Sequence, residues 1–460
     1  MERNLDENRS MDSGMKGKTE SERTHLTDKY SMDGDLAEKA EREDPLQRQF
    51  PLEGTGAVPS RNGVTFRIWA PNADAVAVMG DFNGWEDDHD SLIQEGNGLW
   101  AVHLEGAKVG DAYKFVIRNG GQKLFKNDPY ALEMDNEGNS VIPDLDFQWR
   151  ENGFGMPDRD ALILYQVHVG TFFGDYDEKT GRFGQVCEKM RYLKALGINA
   201  LELVPVSTYP GAARWGYDPA HLFAIEKAYG GPKVLADLVD TAHRHGIAVI
   251  MQVSFAHFDT SDEGLWQFDG RSENGKGGIY FYDDERSRTP WGDARPDYGR
   301  EEVRKYIRDY VFMWLETYRC DGIRVEATGF VRHTEGGSPG GRELEDGLRL
   351  LKEINGEIQS RFPHKLLIAE DLHGKESVTR PLIDGGLAFD VQWDDGFMKV
   401  IRNVLRQPHD GDRCLAALAG ALESGIGDNA LDRIIYCECH ATVADGFLRL
   451  PEEIGPGGTG

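Results

Sequence analysis

Long apolar runs are missing from this chain. Nowhere in its 460 residues do eighteen apolar side chains follow one another, and the N-terminal residues hold no apolar stretch of the kind a signal peptide needs. This predicts a soluble, cytoplasmic protein. Cysteine is scarce as well. The five present, at positions 187, 320, 414, 437 and 439, form an odd, scattered set without the paired spacing of a disulfide framework or a zinc site, which points to a reducing compartment. Positive charge is in deficit, 52 basic residues against 79 acidic ones, and the formal charge of -27 repels phosphate backbones and anionic membranes. No local basic patch offsets that field, so nucleic acid and membrane are excluded as partners. A neutral partner such as a sugar polymer is left untouched by it.

What is present is a globular composition. With 39% apolar and 10% aromatic residues the chain can bury a large core, and its length allows two or three domains. Residues 1–46 are the exception: dense in Glu, Asp, Lys, Arg and Ser and almost without aromatics, they cannot offset the entropy of ordering and are expected to form a disordered charged tail. From about 60 to 145 the texture becomes alternating, as in VTFRIWA at 64–70 and AVAVMG at 75–80, with turn clusters such as FNGW between short runs. That pattern predicts a small β-sandwich. Its aromatics, Trp69, Phe82, Trp85, Trp100, Tyr113 and Phe115, are read mainly as core, although exposed ones could stack on sugar rings.

From 160 to 455 a second period takes over. Apolar strand runs (ALILYQVHVG at 161–170, INALELVPV at 198–206, IAVIMQVSF at 247–255, IRVEAT at 323–328, KLLIAEDLH at 365–373, FDVQW at 389–393, RIIYCECH at 433–440) alternate with helical segments at about 183–197, 232–245 and 343–361. Val303, Tyr306, Ile307, Tyr310, Val311, Trp314 and Leu315 mark one face of another helix. Apolar strands alternating with amphipathic helices imply a parallel sheet covered on both faces, and seven successive units predict a (β/α)8 barrel of TIM type that lacks its eighth unit. Only twenty residues follow His440. The barrel is then expected to stay open, to be completed by another segment, or to belong to a fragment.

In such barrels chemistry sits where strands end and the following loops begin. Taken in order those places hold Trp215, Gly216 and Tyr217, then His257, then Arg324 and Glu326, then Glu370, then His440. Two carboxylates on neighbouring strands, flanked by histidines and an arginine, suit a retaining glycosidase or transglycosylase, where one acid protonates the leaving oxygen and the other carboxylate attacks the anomeric carbon. The bland alternatives are an Arg324–Glu326 structural ion pair, a strand-capping Glu370, structural histidines at 257 and 440, and a core Tyr217. Cys437 and Cys439, placed on one face of the seventh strand by their alternation, are read as core packing rather than as metal ligands.

Longer stretches make a resemblance specific. FRIWAPNADAVAVMGDFNGW, LYQVHVGTF, RWGYDP, AYGGPKVLADLVDTAHRHGIAVI and TPWGDARPDYGREEVRKYIRDYVFMWLETYRCDGIRVEA resemble the α-amylase superfamily, and within it the 1,4-α-glucan (glycogen) branching enzymes and related trehalohydrolases, over residues 60 to 455. The resemblance implies an N-terminal glucan-binding module, an amylase-like barrel and an α-glucan partner such as glycogen, amylose or a maltooligosaccharide. It implies no cofactor and no metal. It places Glu326 at the nucleophile, Glu370 at the acid/base, and Tyr217, His257, Arg324 and His440 around the reacting sugar.

It also exposes departures. The family motif similar to DVVYNH is QVSFAH here, so Gln252 and Ala256 replace acidic and amide positions. The nucleophile, an aspartate in the family, is Glu326; the motif similar to SHDEVAN reads ECHATVAD, so the second aspartate is Ala441. One added methylene displaces a carboxylate by about 1 Å, which can cost on the order of 100-fold. The resemblance therefore implies either a branching-type enzyme with impaired turnover or a non-catalytic α-glucan-binding or regulatory protein, with a nonfunctional fragment as the third alternative.

Overall fold

The computed structural model describes residues 54–144, 146–173, 182–209, 216–217, 219–261, 264–426, 429, 431–444 and 448–454. The charged tail expected over 1–46 lies outside the described residues, as does Trp215.

The alternating segment folds as two antiparallel sheets. One orders strands Gly56–Ser60, Gly63–Trp69, Leu99–Leu104 and Ile93–Gly96; the other orders Asp90–Ser91, Ala75–Gly80, Ala112–Asn119 and Gln122–Lys126. Along Gly63–Trp69 the period-two rule places Val64, Phe66 and Ile68 inside, while Arg67 faces Glu95 at the surface. Phe66 packs edge-on against Tyr113 and Phe115. Trp69, Trp100, Tyr113 and Phe115 are buried, in line with core packing, and Phe82 and Trp85 are half-buried.

The sandwich and the following sheet share one hydrophobic core. Trp69 meets Tyr280 edge-on at 5.5 Å. Asn72 donates from its backbone and side chain to Asp269 (2.9 and 2.8 Å), Tyr130 donates to Asp309 (3.1 Å), and Tyr306 donates to the Pro129 carbonyl (3.1 Å).

The second part is a parallel sheet of seven strands in chain order: β1 Leu164–Val167, β2 Ala200–Leu203, β3 Ala248–Val253, β4 Gly322–Val325, β5 Leu366–Ala369, β6 Val391–Asp394 and β7 Arg433–Ile435. Every residue of β2 to β5 is buried, as a parallel sheet covered on both faces requires. The covering helices include α1 Phe183–Glu188, α2 Met190–Ala195, α3 Gly231–Arg244, α4 Glu301–Glu316, α5 Thr328–Arg332 and α6 Glu345–Arg361. After β6 come α7 Asp395–Leu405 and α8 Leu415–Glu423. The seven residues predicted for one face of α4 are all buried, and Glu301 and Glu302 complement the positive end of its dipole. The sheet curls on itself: just past β7, in the short helix α9 His440–Ala444, the His440 amide reaches the Gln166 side chain on β1 at 2.9 Å. Among the described residues no eighth strand pairs with either edge. This is the partial TIM barrel predicted from the seven periodic units.

Three details differ from the sequence-based expectation. The helix expected over 183–197 is broken at Lys189 into α1 and α2. The β5–β6 connection carries only the four-residue helix Glu376–Thr379 and a single 3-10 turn, in a stretch interrupted by Gly374, Pro381, Gly385 and Gly386. The CEC run is not strand: β7 ends at Ile435, and the Tyr436 ring lies tilted against Trp393 with centroids 4.8 Å apart. Strand alternation therefore does not set the Cys437 and Cys439 directions, and Cys439 packs against the small core cluster around Trp393.

Candidate active site

Arg324 is the centre of the strand ends. It lies in β4 between Gln252 of β3 and Ile368 of β5 in register, and it is fully buried. A buried guanidinium must be paired. Nη1 meets Glu202 of β2 at 3.0 Å, Nη2 meets Glu370 at 3.1 Å, and its plane lies over the Trp393 ring at 4.4 Å. Burial would lower the Arg324 pKa, but Glu370, Glu202, Tyr217 and Glu326 together raise it, so the cation is held charged. Arg324 is thus held between the carboxylates of Glu202 and Glu370.

Glu370 follows β5 directly. Its amide donates to Val325 and its carboxylate accepts from the Ala327 amide (3.3 Å), one residue past Glu326. Ala327 adopts a left-handed conformation (φ 48°, ψ 39°) that turns the chain from β4 into α5. A non-glycine residue in that region carries strain, and here it brings the backbone beside Glu326 onto the Glu370 carboxylate. Glu326 itself is half-buried, its amide tied to Val253 of β3 (2.9 Å).

Opposite them, Tyr217 and His440 stack with ring centroids 5.2 Å apart and planes inclined by 16°. The Tyr217 hydroxyl accepts from Gln252 (3.3 Å), so this β3 amide supports Tyr217. Burial raises the Tyr217 pKa well above the usual phenol value, and Glu326 adds to it, which places the two in electrostatic contact. Burial, together with Arg324 and His168, pushes His440 down to about 3. His257 is buried and tied to the following loop, with Nδ1 and the Thr289 hydroxyl 3.1 Å apart and the half-exposed Trp291 ring 6.3 Å away.

Arg324 and Glu370 are thus joined directly, as are Tyr217 and His440; Glu202 and Gln166 link the two pairs, and Glu326 is bound in by its backbone. Sequence reasoning missed Glu202, Gln166 and Trp393. Glu202 had a signal: a single charge inside the apolar run INALELVPV is a buried charge in search of a partner. Among the described residues no group of three or more His, Cys, Asp or Glu is placed to hold a metal.

Fold and strand ends define a protein with a β-sandwich ahead of a partial TIM barrel. Residues 55–131 match carbohydrate-binding module 48 (isoamylase N-terminal domain), and residues 166–295 match the α-amylase catalytic domain. The chain is similar to proteins of the α-amylase family, and branching enzymes are among its curated relatives. It is 33% identical over 372 residues to 1,4-alpha-glucan branching enzyme GlgB of Salinibacter ruber, covering 75% of this chain and 59% of the relative. It is 34% identical over 357 residues to 1,4-alpha-glucan branching enzyme GlgB 2 of Xanthomonas campestris, covering 73% and 48%. The chain therefore spans roughly half to three-fifths of the length of these relatives. Two solved structures share the fold. A putative α-amylase from Salmonella typhimurium superposes with a TM-score of 0.64 at 24% identity, over 81% of this chain and 60% of that one. A pullulanase from Anoxybacillus sp. LM18-11, complexed with maltotetraose, superposes with a TM-score of 0.67 at 17% identity, over 90% and 65%.

Proposed function

We propose that this chain recognises α-glucan in the strand-end cleft as a protein of the 1,4-α-glucan branching type, with turnover strongly reduced by its own residue changes. The observation that carries this reading is the buried clamp Glu202–Arg324–Glu370, which keeps one catalytic carboxylate fixed against the backbone beside the other. In the inherited reaction the Glu326 carboxylate attacks the anomeric carbon while Glu370 delivers its proton to the departing glycosidic oxygen. An acceptor 6-hydroxyl then attacks the glycosyl-enzyme bond, its proton returns to Glu370, and Glu326 is released. Tyr217, His257, Arg324 and His440 line the reacting sugar. The sequence keeps these groups, whereas Glu326 is one methylene longer than the family's aspartate and Ala441 carries no carboxylate.

The matching of residues 55–131 to a carbohydrate-binding module supports a glucan partner, whether glycogen, amylose or a maltooligosaccharide. A purely binding role is the second reading, favoured by Ala441, because loss of a transition-state contact of this kind is worth about 100- to 1,000-fold. The test is prolonged incubation of the protein with amylose, following iodine staining and new α-1,6 linkages, with Glu370→Gln as control. The expected result is slow branching that disappears in the control and rises about 100-fold or more when Glu326→Asp and Ala441→Asp are combined. No turnover in either folded protein, with a melting point still raised by maltooligosaccharides, selects the binding role.

A further inference from the structure

The Gln166 side chain is sandwiched between two groups whose hydrogen-bonding roles are fixed. On one side its amide lies 2.9 Å from Glu202 Oε1, the same oxygen that accepts from Arg324. On the other it lies 2.9 Å from the His440 backbone nitrogen and 2.9 Å from His440 Nδ1. A backbone N–H only donates, so the atom of Gln166 facing His440 is the carbonyl oxygen; a carboxylate paired with Arg324 accepts, so the atom facing Glu202 is the NH₂. The reverse orientation would set donor against donor and acceptor against acceptor. With Oε1 already facing His440, Nδ1 has to carry the hydrogen, and Nε2 is left with its lone pair.

We infer that Gln166 is a positioning residue, which locks His440 as the Nδ1–H tautomer so that Nε2 accepts a hydrogen bond from a sugar hydroxyl. This rests on the α-glucan reading for its ligand, but not for the tautomer. The arrangement also carries the site across the barrel's open side, because β1 and the segment after β7 meet here through a side chain instead of a strand ladder. The groups facing the imidazole are the Arg324 guanidinium from β4, His168 at the end of β1 and the stacked Tyr217 ring, with Glu202 one bond further along through Gln166. Two cationic or ionisable neighbours and a neutral amide keep the ring uncharged, as an acceptor requires.

The tautomer is read directly by the ¹⁵N shifts of His440 in the full chain without sugar. The expected spectrum has a protonated Nδ1 and a bare Nε2; an Nε2–H signature would overturn the inference. Gln166→Leu removes the acceptor, and the ring is expected to revert to the Nε2–H form; retention of Nδ1–H in that variant would show that Gln166 does not set it. Should Gln166→Leu fail to fold, Gln166→Glu preserves the acceptor but places a carboxylate beside Nδ1. The His440 titration midpoint should then move up by about one unit or more, and an unchanged midpoint counts against the contact. For the ligand half, maltoheptaose affinity is compared at pH 7. Gln166→Leu should weaken it about 3- to 10-fold, the worth of one hydrogen bond. Unchanged affinity removes His440 Nε2 from sugar binding, whereas absence of binding in the unaltered chain, with the tautomer as expected, defeats the glucan reading and leaves the role of Gln166 in setting the tautomer standing.

Discussion

The middle of the barrel and its open side are made from the same sheet but held in different ways. Strands β2 to β5 are buried at every residue, and the groups they carry, Glu202, Arg324 and the adjacent Glu370, are locked by ion pairs and by ladders on both sides. Strands β1 and β7 are half-exposed, and between them His440 is held by the Gln166 side chain and the stacked Tyr217 ring. The two regions differ in what holds their side chains, ion pairs inside the sheet in one and a single side-chain bridge across its edges in the other. In the middle, removing one partner of the Glu202–Arg324 pair would leave a buried charge. Ala441, past β7 in α9, is half-buried and belongs to the edge.

The sharpest way to break that contrast is to compare an ion pair from each region. Arg324→Leu leaves Glu202 buried opposite an apolar group, and loss of one partner from such a pair costs about 3–5 kcal/mol. Against a domain stability of about 5–15 kcal/mol this is a large share. Arg449 and Glu438, beyond β7, lie 3.3 Å apart with the arginine 64% exposed, so Arg449→Leu should change stability by no more than about 1 kcal/mol. Urea unfolding of the two variants measures both; similar losses would mean that the edge is as tightly built as the centre.

A packing comparison gives a somewhat smaller effect. Leu351 on α6 is 1% exposed, and Leu351→Ala should cost about 2–5 kcal/mol. On α8 no residue is buried, Leu422 is 49% exposed, and Leu422→Ala should stay within about 0.5 kcal/mol. A large loss at Leu422 would show that α8 is covered in solution.

Much of this was legible in the sequence because it follows from period. Alternation marks the sandwich, apolar runs between amphipathic helices mark seven strands, and Arg324, Glu326, Glu370, Tyr217, His257 and His440 fall at or after strand ends as candidates. What escaped was pairing across the barrel. Nothing in the order of residues says that Glu202 of β2 meets Arg324 of β4, since β3 lies between them and the contact depends on the curl of the sheet. Gln166 escaped for a related reason: its partner is 274 positions away, and an amide carries no compositional signal. Trp393 reads as an ordinary core aromatic until the guanidinium is seen over it. The CEC run misled because alternation was carried past the point where β7 stops.

The smallest expected effect is the most discriminating. His440 is pushed down from 6.5 to about 3 in the folded protein. An opened or unfolded chain takes up a proton as the pH falls below about 6.5, while the folded form does not until about pH 3. Its contribution is therefore fully present above 6.5 and is lost on acidification, with a slope of at most about 1.4 kcal/mol per pH unit. If the whole barrel opens as one unit, this slope appears in global unfolding and His440→Asn flattens it. If the open side separates first, the slope is confined to the edge: amide exchange at Tyr165 and Val167 of β1, corrected for intrinsic rates, should speed up between pH 7 and pH 5 relative to Ile323 and Val325 of β4. The half-exposure of β1 and its link to α9 through a side chain favour the second outcome. Equal acceleration in both strands would show that Gln166 and His440 close the barrel as firmly as a strand ladder does.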